Sequence, residues 1–150
     1  MISIYRGQNT TTLVSGGKQA EWPDFSFDEL FRQDDPQSWL QGQFGDAEQK
    51  DADADFEAKT WLAPVESQEI WAAGVTYRSR TARMEEAEAA GGDVFYDKVY
   101  EAERPELFFK ATSARARGHR ATIRVREDST WDVPEPELTL AINSQGKVFG

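Results

Sequence analysis

The first sixty residues alternate between short apolar runs and polar stretches, and this pattern predicts a hairpin followed by two helices. Apolar residues at both ends of segment 2–14 flank polar ones, as in a short β-hairpin. SFDELF at 26–31 has a serine followed three residues later by a glutamate, the capping-box pattern of a helix start. Asp35-Pro36 offers a second N-cap with proline at the first helical position. Residues 41–58 are acidic and nearly without apolar side chains, so we expect a surface loop or linker there.

Later in the chain the apolar runs have the length of strands. WLAPV at 61–65, EIWAAGVTY at 69–77 and LFFKA at 107–111 are compact apolar segments that predict strands. Residues 78–90 are rich in helix formers and are followed by two glycines, which predicts a helix. ATIRVRED at 121–128 alternates apolar and polar residues, as a half-buried strand does.

Two glutamates one residue apart stand at the head of the apolar run DVPEPELTLAINS, residues 132–144. If this run is a strand, Glu135 and Glu137 point to one side, and Leu138 and Leu140 point to the expected core side. Two ionised carboxylates at ~6.6 Å repel by roughly 2–3 kcal/mol at an effective dielectric near 20. A hard divalent cation would offset that repulsion, since such ions take oxygen ligands. The alternative is a solvent-exposed strand face in an acidic protein, because Glu-x-Glu is a weak motif by itself.

Composition narrows the class of protein. With 150 residues and 39% hydrophobic side chains, the chain can form one domain with a core. Its net charge is −10, from 27 acidic and 17 basic residues, which argues against nucleic acid and anionic membranes as partners. It has no cysteine, which excludes disulfides and thiolate chemistry. We find no signal peptide and no apolar run near the ~20 residues of a membrane span, so we expect a cytoplasmic protein.

Three motifs, in this order and at these spacings, resemble the fumarylacetoacetate hydrolase superfamily. They are GVTYRSRTARMEE at 74–86, VYEAERPELFFKAT at 99–112 and DSTWDVPEPELTLAINSQGKV at 128–148. The likeness is nearest to the 2-keto-3-deoxy-sugar-acid (arabinonate/xylonate) dehydratase branch and covers roughly residues 60–150. It implies an α+β fold, while the composition of the preceding residues predicts a small N-terminal lobe and acidic loop over residues 1–58. Residues 59–150 would begin a catalytic mixed β-roll of the fumarylacetoacetate hydrolase type.

The resemblance also implies a metal site. In that family the Glu-x-Glu pair supplies two ligands of Mg²⁺ or a similar cation, Mn²⁺ or Ca²⁺, which places them at Glu135 and Glu137. The metal there chelates a 2-oxo acid through its carboxylate and keto oxygens. It then acts as a Lewis acid that stabilises the enolate.

One departure from the family pattern concerns histidine. The hydrolase branch usually carries a histidine shortly after an Asn-Tyr pair, whereas here Thr76-Tyr77 is followed directly by Arg78-Ser79-Arg80. The single histidine, His119, precedes a predicted strand, and we interpret it as a turn residue. The departure argues against a water-activating His–Glu hydrolase and favours the dehydratase-like branch. The resemblance to that branch implies a base on the helix after Tyr77.

That helix supplies most of the remaining candidates. We assign catalytic roles to Ser79, Glu85 and Glu86, and substrate binding to Tyr77, Arg83 and Lys110. A guanidinium such as that of Arg83 can bind a carboxylate bidentately, and a glutamate can transfer a proton. The alternative is a solvated helix face with pairs such as Arg83–Glu86, and a lysine that closes a strand is ordinarily a surface residue.

The sequence itself predicts a hairpin turn at NSQG, residues 143–146, with a returning strand that has barely begun at Gly150. We therefore expect the chain to be the N-terminal part of a longer enzyme and to be poorly active alone. The family's third acidic metal ligand would lie beyond Gly150. Asp128 or Asp132 could substitute locally, although no spacing requires it.

These observations predict a metal-dependent lyase that dehydrates a 2-keto-3-deoxy sugar acid. Its partner would be a small-molecule 2-oxo acid, and the parent enzyme would be a homodimer, as relatives commonly are. Alternatives are a C–C bond hydrolase or decarboxylase of the same superfamily, or a non-catalytic truncated relative that acts as a binding module through an open sheet edge. A calcium-binding loop is a weaker idea, since DADAD at 51–55 lacks the glycine and terminal glutamate of an EF-hand.

Overall fold

The structure is a computed structural model in which the chain divides into two units. It describes residues 1–74, 102–130, 132, 134 and 136–150. The first unit consists of Met1–Gln68 with Arg115–Gly150, and the second of Glu69–Ala114. The start of a catalytic domain at residue 59 stays a prediction, because compactness alone does not locate catalysis.

A four-stranded antiparallel sheet begins the first unit. Its strands are β1 Ser3–Arg6, β2 Thr11–Ser15, β3 Lys18–Trp22 and β4 Gln49–Asp51, in the order β1-β2-β3-β4. The predicted hairpin is confirmed, with β1 antiparallel to β2. The tight connection from β2 to β3 uses Gly16 and Gly17, both at positive φ, as the turns of two-residue hairpins require.

Two short α-helices follow the third strand. They are α1, Phe27–Arg32, and α2, Pro36–Asp46. Ser26 caps α1 and Asp35 caps α2, each through a side-chain oxygen that accepts a backbone N–H. Both predicted helix starts are confirmed.

The prediction of a loop over residues 41–58 is wrong for much of its length. Helix α2 continues to Asp46, β4 pairs with β3, and Phe56–Ala58 forms a short 3₁₀ helix. An edge strand forms through backbone pairing and does not require an apolar face. The polar side chains of β4 therefore did not prevent this strand from forming. Its exposed side chains form ion pairs with β3, Lys18–Asp51 at 2.6 Å and Lys50–Glu21 at 2.7 Å.

The core of the first unit lies between the sheet and the two helices. Its buried apolar side chains come from β2, from the segment after β3, and from α1 and α2: Leu13, Phe25, Phe27, Leu30 and Leu40. Phe25 and Phe27 meet edge to face, with ring centroids 5.0 Å apart. The hydrophobic residues of the predicted helix 26–31 therefore face inward, as their spacing indicated.

Asn143 fastens the C-terminal segment to the end of α1. Its side chain is 5% exposed. The Nδ2 group donates to the carbonyl of Gln33 at 2.9 Å. The Oδ1 atom accepts from the N–H groups of Gln145, at 3.1 Å, and Lys147, at 2.8 Å. Both ends of this buried amide are thus satisfied, and it holds the turn 143–147 closed.

Further contacts tie the same turn to α1. The Ser144 N–H donates to the Phe31 carbonyl at 2.9 Å, and the rings of Phe31 and Phe149 pack edge to face at 5.1 Å. Gly146 adopts a positive φ of 77° in the turn. The predicted turn at 143–146 is confirmed. The predicted returning strand is represented only by the isolated bridge between Ile142 and Val148, on either side of the turn.

The second unit contains a two-stranded antiparallel sheet among its described residues. Strands β5, Glu69–Ala73, and β6, Leu107–Thr112, pair with an irregularity between Ile70 and Trp71. The strand predicted over 107–111 is confirmed, as is the described start of the one predicted over 69–77. Trp71 packs against Phe109 with centroids 6.0 Å apart, yet both rings remain about half exposed.

Two strands expected near the C-terminus are absent from the described residues of those segments. Residues 121–126 and the described part of 132–141 have no regular structure. Ile123 is 71% exposed and Leu138 is 80% exposed, so the expected core face is not formed. Residues 61–65 likewise form only one bridge, Leu62 with Arg6. Alternation supplies side chains for a buried face, but a strand also needs a neighbouring backbone to pair with.

The α+β class agrees with the described sheets and two α-helices, while the β-roll stays a prediction. Among the helices that the structure describes, none has the length and apolarity that a membrane crossing requires.

Candidate functional site

Most of the residues predicted to catalyse the reaction or to bind substrate or metal lie outside the described residues. They are Tyr77, Ser79, Arg83, Glu85, Glu86 and Glu135. Their roles, and the pairing of the two glutamates on one face, stay predictions.

Glu137 is the predicted metal ligand that the structure does describe. It lies in the first unit on a segment without regular secondary structure, and its side chain is exposed. An exposed carboxylate offers the hard oxygen donor that Mg²⁺ prefers, so its chemistry suits the predicted ion. The described residues contain no group of three or more His, Cys, Asp or Glu side chains placed to hold a metal. The remaining ligands are therefore a matter of prediction.

Asp128, which could substitute as a metal ligand, forms an ion pair with Arg126. Its Oδ1 atom accepts from Arg126 Nε at 2.8 Å, and Oδ2 accepts from Nη2 of the same guanidinium. This bidentate pair lowers the pKa of the Asp128 carboxyl. A cation at Asp128 would have to displace Arg126, which makes it a poorer substitute ligand than the exposed Asp132.

Lys110 lies in the second unit, on β6. Its side chain is exposed, and Nζ lies 5.7 Å from the centroid of the Phe108 ring. The ammonium group is therefore accessible to solvent and can bind the carboxylate of a small molecule. Its grouping with the predicted catalytic residues stays a prediction.

The first unit contains a cleft of about 560 Å³ that sequence reasoning missed. It lies where β1 meets residues 61–64 and a turn at 117–120, and we call it the β1 cleft. Its lining residues are Ile4, Tyr5, Arg6, Trp61, Leu62, Ala63, Pro64, Arg117, Gly118, His119 and Arg120. His119 lies in a turn, as predicted. The run RARGHR at 115–120 was the available signal, since four basic or imidazole side chains in six residues are unusual in so acidic a chain.

Comparison with known proteins finds similarity to two dehydratases. A 2-dehydro-3-deoxy-D-arabinonate dehydratase of Saccharolobus solfataricus is 45% identical over 89 residues, which are 58% of this chain and 30% of that protein. A probable 2-keto-3-deoxyxylonate dehydratase of Haloferax volcanii is 51% identical over 88 residues, 58% of this chain and 29% of that protein. The chain thus spans about 30% of the length of these curated relatives. No family model matches it, and no solved structure gives a significant match.

Proposed function

We propose that this chain is part of a lyase that removes water from a 2-keto-3-deoxy sugar acid. The supporting observation is the identity of 45% and 51% with two proteins named as dehydratases of such acids. Their names agree with the branch that the three sequence motifs resemble. Because the chain covers about 30% of each relative, the proposal concerns the activity of a protein to which this chain contributes.

The chemistry of such a substrate defines what the site must do. A keto group at C2 acidifies the hydrogens of the neighbouring C3 methylene. A base removes one C3 proton, negative charge develops on the keto oxygen, and the hydroxyl at C4 leaves as water after it receives a proton. The site therefore needs a base, an acid, a group that holds the carboxylate, and positive charge near the keto oxygen.

The predicted residues supply these functions. Glu85 or Glu86 would take the C3 proton, and Ser79 would assist proton transfer to the leaving hydroxyl. Arg83, Lys110 and Tyr77 would hold the substrate carboxylate and hydroxyls through charge-assisted hydrogen bonds.

Glu135 and Glu137 would hold the divalent cation, Mg²⁺ or Mn²⁺ or Ca²⁺. When bound, such an ion stabilises the negative charge that develops on the keto oxygen. The exposure of the Glu137 carboxylate supports this role, since an ion that also contacts substrate must be reachable from solvent.

The experiment compares the complete polypeptide that the gene encodes with its Glu135→Gln/Glu137→Gln variant. We expect the wild-type protein to convert 2-keto-3-deoxy-D-arabinonate or 2-keto-3-deoxy-D-xylonate to a product lighter by one water, detected by mass spectrometry. EDTA should abolish the conversion and Mg²⁺ should restore it. Binding of Mn²⁺, followed by electron paramagnetic resonance, should weaken by more than about tenfold in the variant.

Glu127→Gln provides the matched control, because Glu127 is exposed and belongs to no predicted site. It should leave both readouts unchanged. Equal Mn²⁺ affinity in the wild type and the double variant would remove the two glutamates from the site. Lack of conversion of either acid, with Mg²⁺ present, would refute the dehydratase proposal itself.

A further inference from the structure

We propose that the β1 cleft binds a small molecule through a dianionic phosphoryl group, held by the guanidinium groups of Arg6, Arg117 and Arg120. The proposal goes beyond the dehydratase function, and it uses none of the residues assigned to the metal or to proton transfer.

Charge is the first argument. The lining of the β1 cleft contains three arginines, a histidine and no aspartate or glutamate. This contrasts with the whole chain, where 27 acidic residues outnumber 17 basic ones. A concave site that concentrates positive charge in an acidic protein attracts anions locally, and guanidinium groups match phosphate oxygens in geometry.

Arg6 belongs to the lining of the β1 cleft, and hydrogen bonds hold its side chain in place. Its carbonyl accepts from the Leu62 N–H at 2.7 Å. Its Nη1 atom donates to the Ala63 carbonyl at 3.2 Å and also to the Val65 carbonyl. The segment after Trp61 thereby holds the guanidinium in place. The guanidinium carbon also lies 6.0 Å from the centroid of the Phe27 ring, a cation–π contact that further fixes the group.

The turn at 117–120 supplies the other two guanidinium groups. A Cβ atom on Gly118 would lie 2.5 Å from the carbonyl carbon of Leu62 and 2.7 Å from the Ala63 nitrogen. Only glycine therefore lets this turn approach the segment beside Arg6 so closely. The side chains of Arg117 and Arg120, on either side of Gly118, are exposed to solvent.

The orientation of Arg120 is also defined. Its backbone has a φ of 60°, in the left-handed region that L side chains seldom adopt. Its Nε atom donates to Nε2 of His119 at 3.2 Å, so the imidazole ring orients the guanidinium and leaves its Nη atoms for a ligand. Such an arrangement reduces the entropy lost when an anion binds.

Two aromatic side chains, Tyr5 and Trp61, form a wall within the lining of the β1 cleft. The rings of Tyr5 and Trp61 lie 5.4 Å apart, and each packs against Phe56, at 4.3 Å and 4.6 Å. Trp61 Nε1 donates to the Phe56 carbonyl at 3.2 Å, which fixes the indole. At about 560 Å³ the cleft is larger than a phosphate group, so it has room for an organic part against this wall. We therefore expect a phosphate monoester rather than free phosphate.

The test is isothermal titration calorimetry of the protein with three probes: D-ribose 5-phosphate, inorganic phosphate and D-gluconate. We expect saturable binding of D-ribose 5-phosphate, weakened by added salt. Its affinity should fall more than about tenfold in the Arg117→Gln/Arg120→Gly variant. Glycine at 120 accepts the left-handed backbone without strain, so this variant should keep the thermal stability of the wild type.

Arg124→Gln is the control, because it removes an arginine charge from an exposed residue outside the β1 cleft. It should bind D-ribose 5-phosphate within about twofold of the wild type, since exposed charges beyond contact range are largely screened. Equal affinity for inorganic phosphate would retain the phosphoryl site but identify free phosphate as the ligand. Absence of saturable binding, unchanged affinity in the double variant, or tighter binding of D-gluconate would each overturn the proposal.

Discussion

The Ser26 hydroxyl donates a hydrogen bond to Oε2 of Glu66 over 3.0 Å, although the two residues are 40 positions apart in the chain. The same glutamate oxygen accepts the Asp28 N–H at 3.1 Å, while Ser26 Oγ accepts the Glu29 N–H at 3.2 Å. The first turn of α1 is thus capped both by its own serine and by a distant carboxylate. Negative charge at this end of the helix also interacts favourably with the helix dipole.

Asp28, in the first turn of α1, also binds the segment that follows Glu66, and this leads to a first prediction. Its carboxylate accepts the Ser67 N–H at 3.0 Å, the Ser67 hydroxyl at 2.7 Å and the Gln68 amide at 2.6 Å. Asp28→Asn should lower the free energy of unfolding by about 1–2 kcal/mol, because an amide group cannot accept all three bonds. Urea denaturation would measure the change. Asp24→Asn, at a nearby exposed position, is the control, and equal losses in both variants would contradict the assigned role.

A second prediction concerns pH. Hydrogen bonds from the Ser67 side chain and backbone lower the pKa of the Asp28 carboxyl in the folded protein. The folded state therefore binds this proton less readily than the unfolded state, and the stabilisation is present above the ordinary carboxyl pKa of about 3.9. It is lost as the pH falls through the lower folded value. Unfolding free energies measured from about pH 6 to pH 2.5 should fall more steeply for the wild type than for Asp28→Asn. Parallel curves would rule out the contribution.

Asn143 provides a third prediction. Asn143→Ala removes three hydrogen bonds from a side chain that is 5% exposed and leaves the Gln33 carbonyl without its partner. We expect a loss of about 2–3 kcal/mol in the free energy of unfolding. Gln145→Ala keeps its backbone donor and loses only an exposed side chain, so it should change stability by less than about 0.5 kcal/mol. A similar loss in both variants would show that the buried amide does not hold the turn.

Two glycines should respond to alanine with opposite signs, which is a fourth prediction. Gly118→Ala places a methyl group against the Leu62 backbone, 2.5 Å from its carbonyl carbon, and should destabilise the protein. Gly42→Ala lies within α2, where a new Cβ meets nothing within 4 Å, and should stabilise it by about 0.5–1 kcal/mol. Thermal unfolding of the two variants would measure both changes. A stabilising Gly118→Ala would disprove the close approach of the two segments.

Local signals in the sequence predicted the elements whose stability is mostly local. Ser26 and Asp35 begin helices because each cap needs only residues two or three positions away. The same reasoning was wrong for Ile123 and Leu138, since burial of a strand face depends on neighbours that the pattern of one segment does not specify. It was also wrong for β4, because its polar side chains predicted a loop while its backbone pairs with β3 as a strand.

The two candidate sites differ in the same way: one has a local signal in the sequence, and the other depends on contacts between distant residues. Glu135 and Glu137 could be predicted because a short spacing and a family resemblance both mark them. The β1 cleft could not be found in this way, because Arg6 and Arg117 come together only through the bridge of Leu62 with Arg6 and the close approach at Gly118. No spacing along the chain encodes that meeting.

The docking of the turn at Asn143 on the end of α1 also determines when the first unit can finish folding during synthesis. A ribosome releases α1 early, while the amide that binds the Gln33 carbonyl emerges about 110 residues later. The intervening residues 69–114 belong to the other unit, so the first unit must close around a long excursion of the chain. Until that closure, the nascent helix would present open carbonyls and the Phe31 ring to water, and it would be a natural point for chaperone binding during translation.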